Sequence, residues 1–331
     1  MQRTVLFVLM AVLVLGAAGS ATPAGTRPLK VGLVLDSGPA DPYGSIALAG
    51  LRRAARELGV QALALTAGAK EGAEPTFAYF ARKQYDLVLG LGFMEAGAVA
   101  EAARRFPRTA FAVVDAPWES LPGRPTNVRG TVYRVEQASY LAGYLAASME
   151  MGRPGRHVVS AVGGYRIPTV EPIIAGFRAG ALKADPRAVV LIDYANDFID
   201  TAKCRRVALG QIARGSGVVF QVAGGCGLGA LEAAKEKRVW GIGVDSDQSA
   251  LGPHILTSVV KRMDVATFET VRSFRNDTFK PGRSAVFDLA NGGVALGKIS
   301  PKVPKAILAQ VDRIRRRIAT GQIGPIPTAA P

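Results

Sequence analysis

The chain has 331 residues, of which 49% are hydrophobic and 7% aromatic, and its formal net charge is +15 at pH 7. This length and apolar content allow two domains with separate cores and exclude a disordered chain. The basic residues are spread along the chain, without a recognised nucleic-acid reader motif or an aromatic stacking platform. We therefore expect no nucleic-acid partner.

The first residues have the pattern of a secretory signal peptide. Arg3 precedes an apolar run over 5–18, and small residues at 19–21 then suit signal peptidase. The run is too short to span a bilayer, so we predict a signal peptide over 1–21 and no stable membrane insertion of the mature chain. No cysteine stands there for lipidation, which favours a soluble periplasmic or otherwise extracytoplasmic protein. An uncleaved N-terminal anchor is the alternative.

From residue 29, short apolar runs alternate with amphipathic stretches, which is typical of strand–helix units and a parallel sheet. The strands predicted in the first series are 31–35, 60–65, 87–91, 111–115 and 127–133. The helices predicted in this series are 45–57, 76–82, 96–105 and 137–149.

The same alternation then starts again. The predicted strands are 157–162, 189–193, 218–222, 240–244 and 255–260, and the predicted helices are 170–184, 201–214, 228–237 and 266–274. Extended segments at 284–289 and 293–297 follow. We predict an α/β fold of two doubly wound lobes joined by a multi-crossing hinge. The predicted N-terminal lobe is 28–134, completed by about 257–290 and the C-terminal tail, and the C-terminal lobe is 135–256.

The tail ends in a densely basic segment. Ile307, Val311, Ile314 and Ile318 recur at helical spacing, so the arginines at 313 and 315–317 are expected on the outer face of a helix.

Ligands of open parallel sheets bind beyond the carboxyl ends of the strands. The predicted strands here end in polar or glycine-rich loops, at 36–43, 90–93, 115–118, 163–165, 196–198, 223–227 and 245–248. We expect these loops to form one ligand cleft.

Only two cysteines and two histidines occur. In an oxidising compartment Cys204 and Cys226 are a candidate disulfide, and two free buried thiols are the alternative. His157 and His254 sit in no ligand-spaced motif, so we expect no metal site and no cofactor.

These loops and their flanking helices resemble the basic membrane protein family of substrate-binding proteins, which includes purine nucleoside receptors of ABC transporters. The matching segments cover the whole mature chain: 34–36, Tyr43 with Gly50, 111–115, 137–143, 162–164, 176–180, 220–229, 243–248 and 257–261. The resemblance implies a type I periplasmic binding protein fold.

The resemblance also implies a set of ligand-binding residues. It places Tyr43 at a stacking position, Asp36 at the base edge, and Asp245 and Lys261 at the sugar. Either Phe220 or Gln221 stands where a second stacking residue is expected. The remaining candidates are Gly225 and Gly227, which offer backbone N–H groups, with Asp115 and Trp118 near the rim of the first lobe.

One loop departs from the family. The family usually has Asp-x-Ser-Phe-Asn around the first aromatic residue, whereas this chain has Asp41-Pro42-Tyr43-Gly44. The change removes base-edge partners, so the resemblance leaves the ligand open. Purely structural roles are the alternative for three of these residues: Asp36 and Asp245 would cap the helices that follow them, and Lys261 would be a salt-bridge partner.

The function implied is an extracytoplasmic receptor that closes two lobes on a small ligand, a purine nucleoside or related heteroaromatic metabolite, and presents it to an ABC permease. An exported nucleoside hydrolase is one alternative. The sequence lacks a Gly-x-Ser-x-Gly elbow or an ordered Ser–His arrangement, so we expect no enzyme. A ligand sensor for a membrane signalling protein is the other alternative.

Overall fold

The computed structural model describes residues 12–13, 27–35, 42–68, 72–155 and 157–329. Apart from Val12 and Leu13, the predicted signal peptide lies outside the described residues. Within these ranges the strands are β1 (Val12–Leu13), β2 (Lys30–Leu35), β3 (Gln61–Thr66), β4 (Leu87–Leu91), β5 (Ala110–Val114), β6 (Val128–Tyr133), β7 (Val158–Gly163), β8 (Val189–Tyr194), β9 (Val218–Val222), β10 (Trp240–Asp245), β11 (Ile255–Lys261), β12 (Arg283–Phe287) and β13 (Val294–Leu296).

The helices carry the predicted amphipathic stretches. In chain order they are α1 (Pro42–Leu58), α2 (Glu74–Arg82), α3 (Ala96–Arg105), α4 (Val135–Glu150), α5 (Glu171–Ala184), α6 (Thr201–Ala213), α7 (Gly227–Glu236), α8 (Met263–Arg275) and α9 (Lys305–Ala319). Within the described ranges, none of the helices has the length and apolar content needed to cross a bilayer.

The chain divides into two compact units. Unit 1 comprises residues up to Tyr133 together with Arg262–Phe287, and unit 2 comprises Arg134–Lys261 together with the residues from Asp288 onward. The chain therefore passes from one unit to the other three times, after β6, β11 and β12.

Unit 1 is built on a sheet with the strand order β1-β3-β2-β4-β5-β6-β12. All neighbours pair in parallel except β1, which is antiparallel to β3. The middle strands β2 and β4 are buried almost throughout because helices cover both faces, as in doubly wound sheets. Phe77, Phe80 and Phe111 are the largest side chains in this core.

Unit 2 repeats this architecture with the strand order β13-β11-β10-β9-β7-β8. Its strands pair in parallel except β13, which is antiparallel to β11. The predicted α/β class with two doubly wound modules is confirmed.

The C-terminal tail differs from the prediction. It lies in unit 2, whereas the sequence assigned it to the N-terminal lobe. The segment that returns to unit 1 is Arg262–Phe287, which contains α8 and β12, and β12 extends the sheet beside β6. The tail stays in unit 2 because β13 pairs with β11 and α9 buries Val311, Ile314 and Ile318. The arginines at 313 and 315–317 are exposed, as the helical spacing predicted.

Two helices of unit 2, α4 and α5, approach so closely that only glycine fits between their backbones. A Cβ built on Gly143 or Gly180 would lie 1.9 Å from a carbonyl oxygen of the other helix, that of Phe177 or Tyr140 respectively. A Cβ on Gly176 would lie 2.3 Å from the carbonyl oxygen of Glu136. This contact fixes α4, which follows the first chain crossing, against the body of unit 2.

Cys204 and Cys226 form a disulfide, with their Cα atoms 5.6 Å apart. Cys204 lies on α6, and Cys226 immediately precedes α7. Both residues are fully buried among small side chains such as Ala208 and Ala230. The bridge therefore ties the loop that follows β9 to the preceding helix.

Candidate functional site

The candidate site of unit 2 lies at the carboxyl edge of its sheet, where the loops after β7 and β9 meet. The strand order reverses between β7 and β9, since the chain passes from β7 to β8 on one side and then to β9 on the other. In open α/β sheets this switch point is the usual place for a ligand. The N–H of Gly164 donates to the carbonyl of Val222 (2.9 Å) and joins the two loops.

An aromatic pair covers this switch point. The rings of Tyr165 and Phe198 meet edge to face with centroids 5.2 Å apart. Phe198 packs so closely on Gly164 that a Cβ there would lie 2.2 Å from its ring. Tyr165 is 42% exposed, so part of its side chain is open to solvent.

Asp197 holds the loop that carries Phe198. Its Oδ1 accepts from the N–H groups of Ile199 (2.8 Å) and Asp200 (3.0 Å), and its Oδ2 accepts from Lys203 Nζ (2.7 Å). The hydrogen bond from Lys203 holds the pKa of Asp197 well below its ordinary value. The carboxylate therefore stays ionised in neutral and mildly acidic solution. The hydrogen bonds that its two oxygens accept hold the loop in place.

The glycine-rich loop after β9 leads directly into α7. Gly224 has a φ of 53°, in the left-handed region that glycine adopts readily. A Cβ on Gly225 would lie 3.3 Å from the carbonyl oxygen of Phe198, so this loop runs beneath the aromatic pair. A Cβ on Gly227 would lie 1.9 Å from Gln221 Oε1, and its N–H donates to the carbonyls of Ala223 and Gly224. Gly227 is therefore needed for packing within the loop.

Gln221 belongs to a polar network beneath the site. Its Nε2 donates to Gln248 Oε1 (2.9 Å), and its Oε1 accepts from the N–H of Ala223 (3.1 Å). The N–H of Gln248 in turn donates to Ser258 Oγ (3.0 Å). These bonds tie the loops after β9 and β10 to β11.

Phe220 points to the opposite face of β9 from Gln221. It is fully buried, and its ring packs on Phe177 of α5 with centroids 5.1 Å apart. Phe220 is therefore a core residue and exposes no ring face for stacking. Gln221 is also buried, at 1% exposed, and lies within the polar network. The two candidates for the second stacking position thus contribute packing and loop geometry instead.

Asp245 and Lys261 meet at the ends of the neighbouring strands β10 and β11. Lys261 Nζ lies 3.5 Å from Asp245 Oδ1. The lysine side chain is 12% exposed and the aspartate side chain 38% exposed, so the carboxylate is the more open partner. Asp245 has a φ of 65°, a conformation that aspartate tolerates better than most residues.

Unit 1 places its candidate residues at the corresponding edge. Asp115 follows β5, also with a φ of 65°, and its N–H donates to Thr131 Oγ1 (2.7 Å). Trp118 begins the next short 3₁₀ turn; its indole Nε1 donates to the carbonyl of Pro125 (2.9 Å), and its ring packs against the core of unit 1. Trp118 thus has packing and hydrogen-bonding partners within its own unit.

The loop that carries Asp36 lies outside the described residues, and Tyr43 is described only as a backbone position in α1. The roles given to both residues stay predictions.

For two exposed residues at the switch point of unit 1 the sequence suggested no role, although it indicated the loop 90–93. Phe93 and Met94, in the turn after β4, are 61% and 79% exposed. Glu95, the third residue of this turn, is buried and accepts from the N–H of Leu91 through Oε2 (2.7 Å). In the sequence, the feature that could have pointed to Phe93 and Met94 is that this apolar pair directly follows Gly92, just after a buried strand ends.

No group of three or more His, Cys, Asp or Glu side chains that could hold a metal ion occurs among the described residues. The candidate edge of unit 2 offers ring faces, a carboxylate and an ammonium group, which together can bind a flat ligand with hydroxyl groups.

The structure of this chain is similar to solved structures of ABC transporter solute-binding proteins. The ABC transporter solute-binding protein from Conexibacter woesei has a TM-score of 0.74 with this chain at 27% identity, with 91% of this chain and 100% of that chain covered. The fold is that of a solute-binding protein of an ABC transporter system. The chain belongs to the family of PnrA-like ABC transporter substrate-binding proteins, whose family model matches residues 29–327.

The chain is also similar in sequence to two bacterial proteins with different names. The CD4+ T-cell-stimulating antigen of Listeria innocua is 28% identical, with 94% of this chain and 93% of the relative covered. The ABC transporter nucleoside-binding protein BmpA of Lactococcus lactis is 30% identical, with 64% of each chain covered.

Proposed function

We propose that this protein is an extracytoplasmic receptor that captures a purine nucleoside, or a related heteroaromatic metabolite, and delivers it to an ABC permease. The observation that carries the proposal is the ion pair of Asp245 and Lys261 on the same sheet edge as the glycine loop and the aromatic pair. The family and the name of the Lactococcus lactis relative support a nucleoside as the ligand.

The groups of a nucleoside match the side chains at this edge of unit 2, and the resemblance adds residues of unit 1. The Asp245 carboxylate can accept hydrogen bonds from ribose hydroxyls, while the Lys261 ammonium group can donate to ribose oxygens. A flat base can stack on an aromatic ring, with about 1–3 kcal/mol per base in nucleic-acid complexes. Tyr43, by resemblance, supplies one ring of unit 1, and Asp36 and Asp115 offer acceptors for polar groups of the base. Capture of this kind requires no bond to be broken.

Because Phe220 is buried in the core, we assign the stacking surface of unit 2 to Tyr165 and Phe198. Phe198 is partly buried on the glycine loop, and Tyr165 lies at its edge with one side open.

Calorimetric titration tests the proposed function. The protein is titrated with inosine, guanosine and adenosine and with their free bases, and the ligand is recovered afterwards for chromatography. We expect saturable binding of at least one nucleoside and recovery of the ligand unchanged. Binding of none of these compounds would contradict the proposed ligand class, and conversion of a bound nucleoside to base and sugar would favour a hydrolase.

Replacement of Tyr165 tests the stacking surface. Tyr165→Ala is expected to weaken nucleoside binding by about 1–3 kcal/mol, because the exposed ring face is lost, while Tyr165→Phe keeps most of the affinity. Tyr79→Ala is a matched control, since Tyr79 is 39% exposed and also meets a phenylalanine edge to face, but lies on α2. Equal affinities of the Tyr165→Ala and Tyr79→Ala proteins would remove Tyr165 from the site.

A further inference from the structure

The two units repeat one strand order, and this repeat brings a second pair of residues into correspondence with Asp245 and Lys261. In each unit the first five parallel strands follow the spatial order 2-1-3-4-5, as β2–β6 in unit 1 and β7–β11 in unit 2. Asp115 follows the fourth strand of its unit and Asp245 ends the fourth strand of the other, and both have a φ of 65°. The fifth strands end in Tyr133 and Lys261. Tyr133 therefore occupies the position in unit 1 that the lysine occupies in unit 2.

The surroundings of Tyr133 agree with this correspondence. The charges of two carboxylates, Asp115 and Asp264, act on its side chain. Burial is the main reason why the pKa of Tyr133 is raised well above its ordinary value, and these two charges raise it further. The phenol is therefore protonated and able to donate a hydrogen bond at any physiological pH. Asp264 is already engaged by Arg262, whose Nε and Nη2 donate to its two carboxylate oxygens at 2.8 and 2.7 Å.

The hydroxyl of Tyr133 is buried without a hydrogen-bond partner in the part of the chain that the structure describes. Its oxygen is inaccessible to solvent. The residue as a whole is 7% exposed. A buried hydroxyl without a partner costs about 1–3 kcal/mol, so such groups call for an explanation. The ring is held against Phe287 with centroids 5.7 Å apart, which keeps the hydroxyl at the carboxyl edge of β6.

We propose that Tyr133 is a ligand-contacting specificity residue, whose hydroxyl donates a hydrogen bond to the bound ligand while the Asp115 carboxylate accepts one from it. A donor beside an acceptor complements a ligand group that carries an acceptor beside a donor, as the edge of a purine base does. Unit 1 then distinguishes ligands by this polar edge. The inference rests on the proposed function and extends it by naming the residue that reads the base.

Replacement of Tyr133 by phenylalanine tests the proposal because it removes only the hydroxyl. Titration of the full exported protein with inosine and with adenosine should show binding about 5- to 20-fold weaker in Tyr133→Phe than in wild type for at least one of them. The unfolding midpoint without ligand should be unchanged or higher, since an unsatisfied buried hydroxyl has been removed. Tyr140→Phe is the matched control: Tyr140 is also 7% exposed but lies on α4 of unit 2, and its replacement should leave both affinities unchanged.

The outcomes separate this inference from the proposed function. Wild-type protein that binds neither nucleoside would overturn both. Wild-type binding with equal affinities in the Tyr133→Phe protein would overturn the inference alone. Weaker binding together with a lower unfolding midpoint in the absence of ligand would also overturn it, because the hydroxyl would then act through the fold. Weaker binding with an unchanged or raised midpoint is the supporting result.

Discussion

Replacement of Asp245 by alanine is expected to weaken binding of a purine nucleoside by about 1.5–3 kcal/mol, or roughly 10- to 150-fold, and to leave binding of the free base nearly unchanged. Asp245 Oδ1 lies 3.5 Å from Lys261 Nζ and is inaccessible to solvent, while the side chain as a whole is 38% exposed, so we assign the ribose contact to Oδ2. Hydrogen bonds to a charged group contribute more than those between neutral groups, and the lost acceptor leaves the ligand hydroxyls unpaired. Parallel titrations with inosine and hypoxanthine measure the difference.

Asp247 provides the control for this experiment because it lies two residues after Asp245 and its carboxylate accepts hydrogen bonds from backbone N–H groups. Its Oδ1 accepts from the N–H of Ser249 (3.1 Å), and its Oδ2 accepts from the N–H of Lys298 (3.2 Å). Asp247→Ala should therefore lower the unfolding midpoint without favouring base over nucleoside. If Asp245→Ala reduces both affinities equally, or neither, the sugar is not bound at this carboxylate.

Replacement of Gly180 by alanine is expected to destabilise the protein by about 3 kcal/mol or more, a large effect for one added methyl group. The new Cβ would lie 1.9 Å from the carbonyl oxygen of Tyr140, which is backbone and cannot move aside by a rotamer change. The helices α4 and α5 would have to separate, and the apolar contacts between them would weaken along their length. Urea unfolding followed by circular dichroism measures the loss.

A second glycine within a helix separates the packing effect from helix propensity. Gly210 lies inside α6, and a Cβ built there meets no other atom within 4 Å. Gly210→Ala should stabilise the protein by about 0.5–1 kcal/mol, since alanine loses less conformational freedom in a helix than glycine does. An equal response of the two variants would mean that the close approach of α4 and α5 does not constrain position 180.

Local patterns were sufficient to predict the class of fold because each depends on neighbours in sequence. The apolar run 87–91 became the fully buried strand β4, and the spacing of Val311, Ile314 and Ile318 placed the arginines of α9 on the exposed face. The order of polar loops after the strands likewise indicated where ligand contacts are expected. Asp245 and Lys261, given by resemblance, are brought together by the parallel pairing of β10 and β11.

Local patterns could not predict which distant segments of the chain pair with each other. The antiparallel addition of β13 to β11 decides that the tail joins unit 2, and the short apolar stretch 293–297 carries no local signal for its partner strand.

The alternation of side chains along a strand is a property of the sequence, so Phe220 and Gln221 had to point to opposite faces of β9. Helices cover both faces of a parallel sheet, however, and the sequence does not say which neighbour each side chain meets. Tertiary packing alone decided that Phe220 contacts Phe177 and that Gln221 bonds to Gln248. The chain by itself thus determined the two α/β modules and the polar loops that follow their strands. Long-range packing decided which side chains in those loops remain exposed, because exposure depends on residues that come from elsewhere in the sequence.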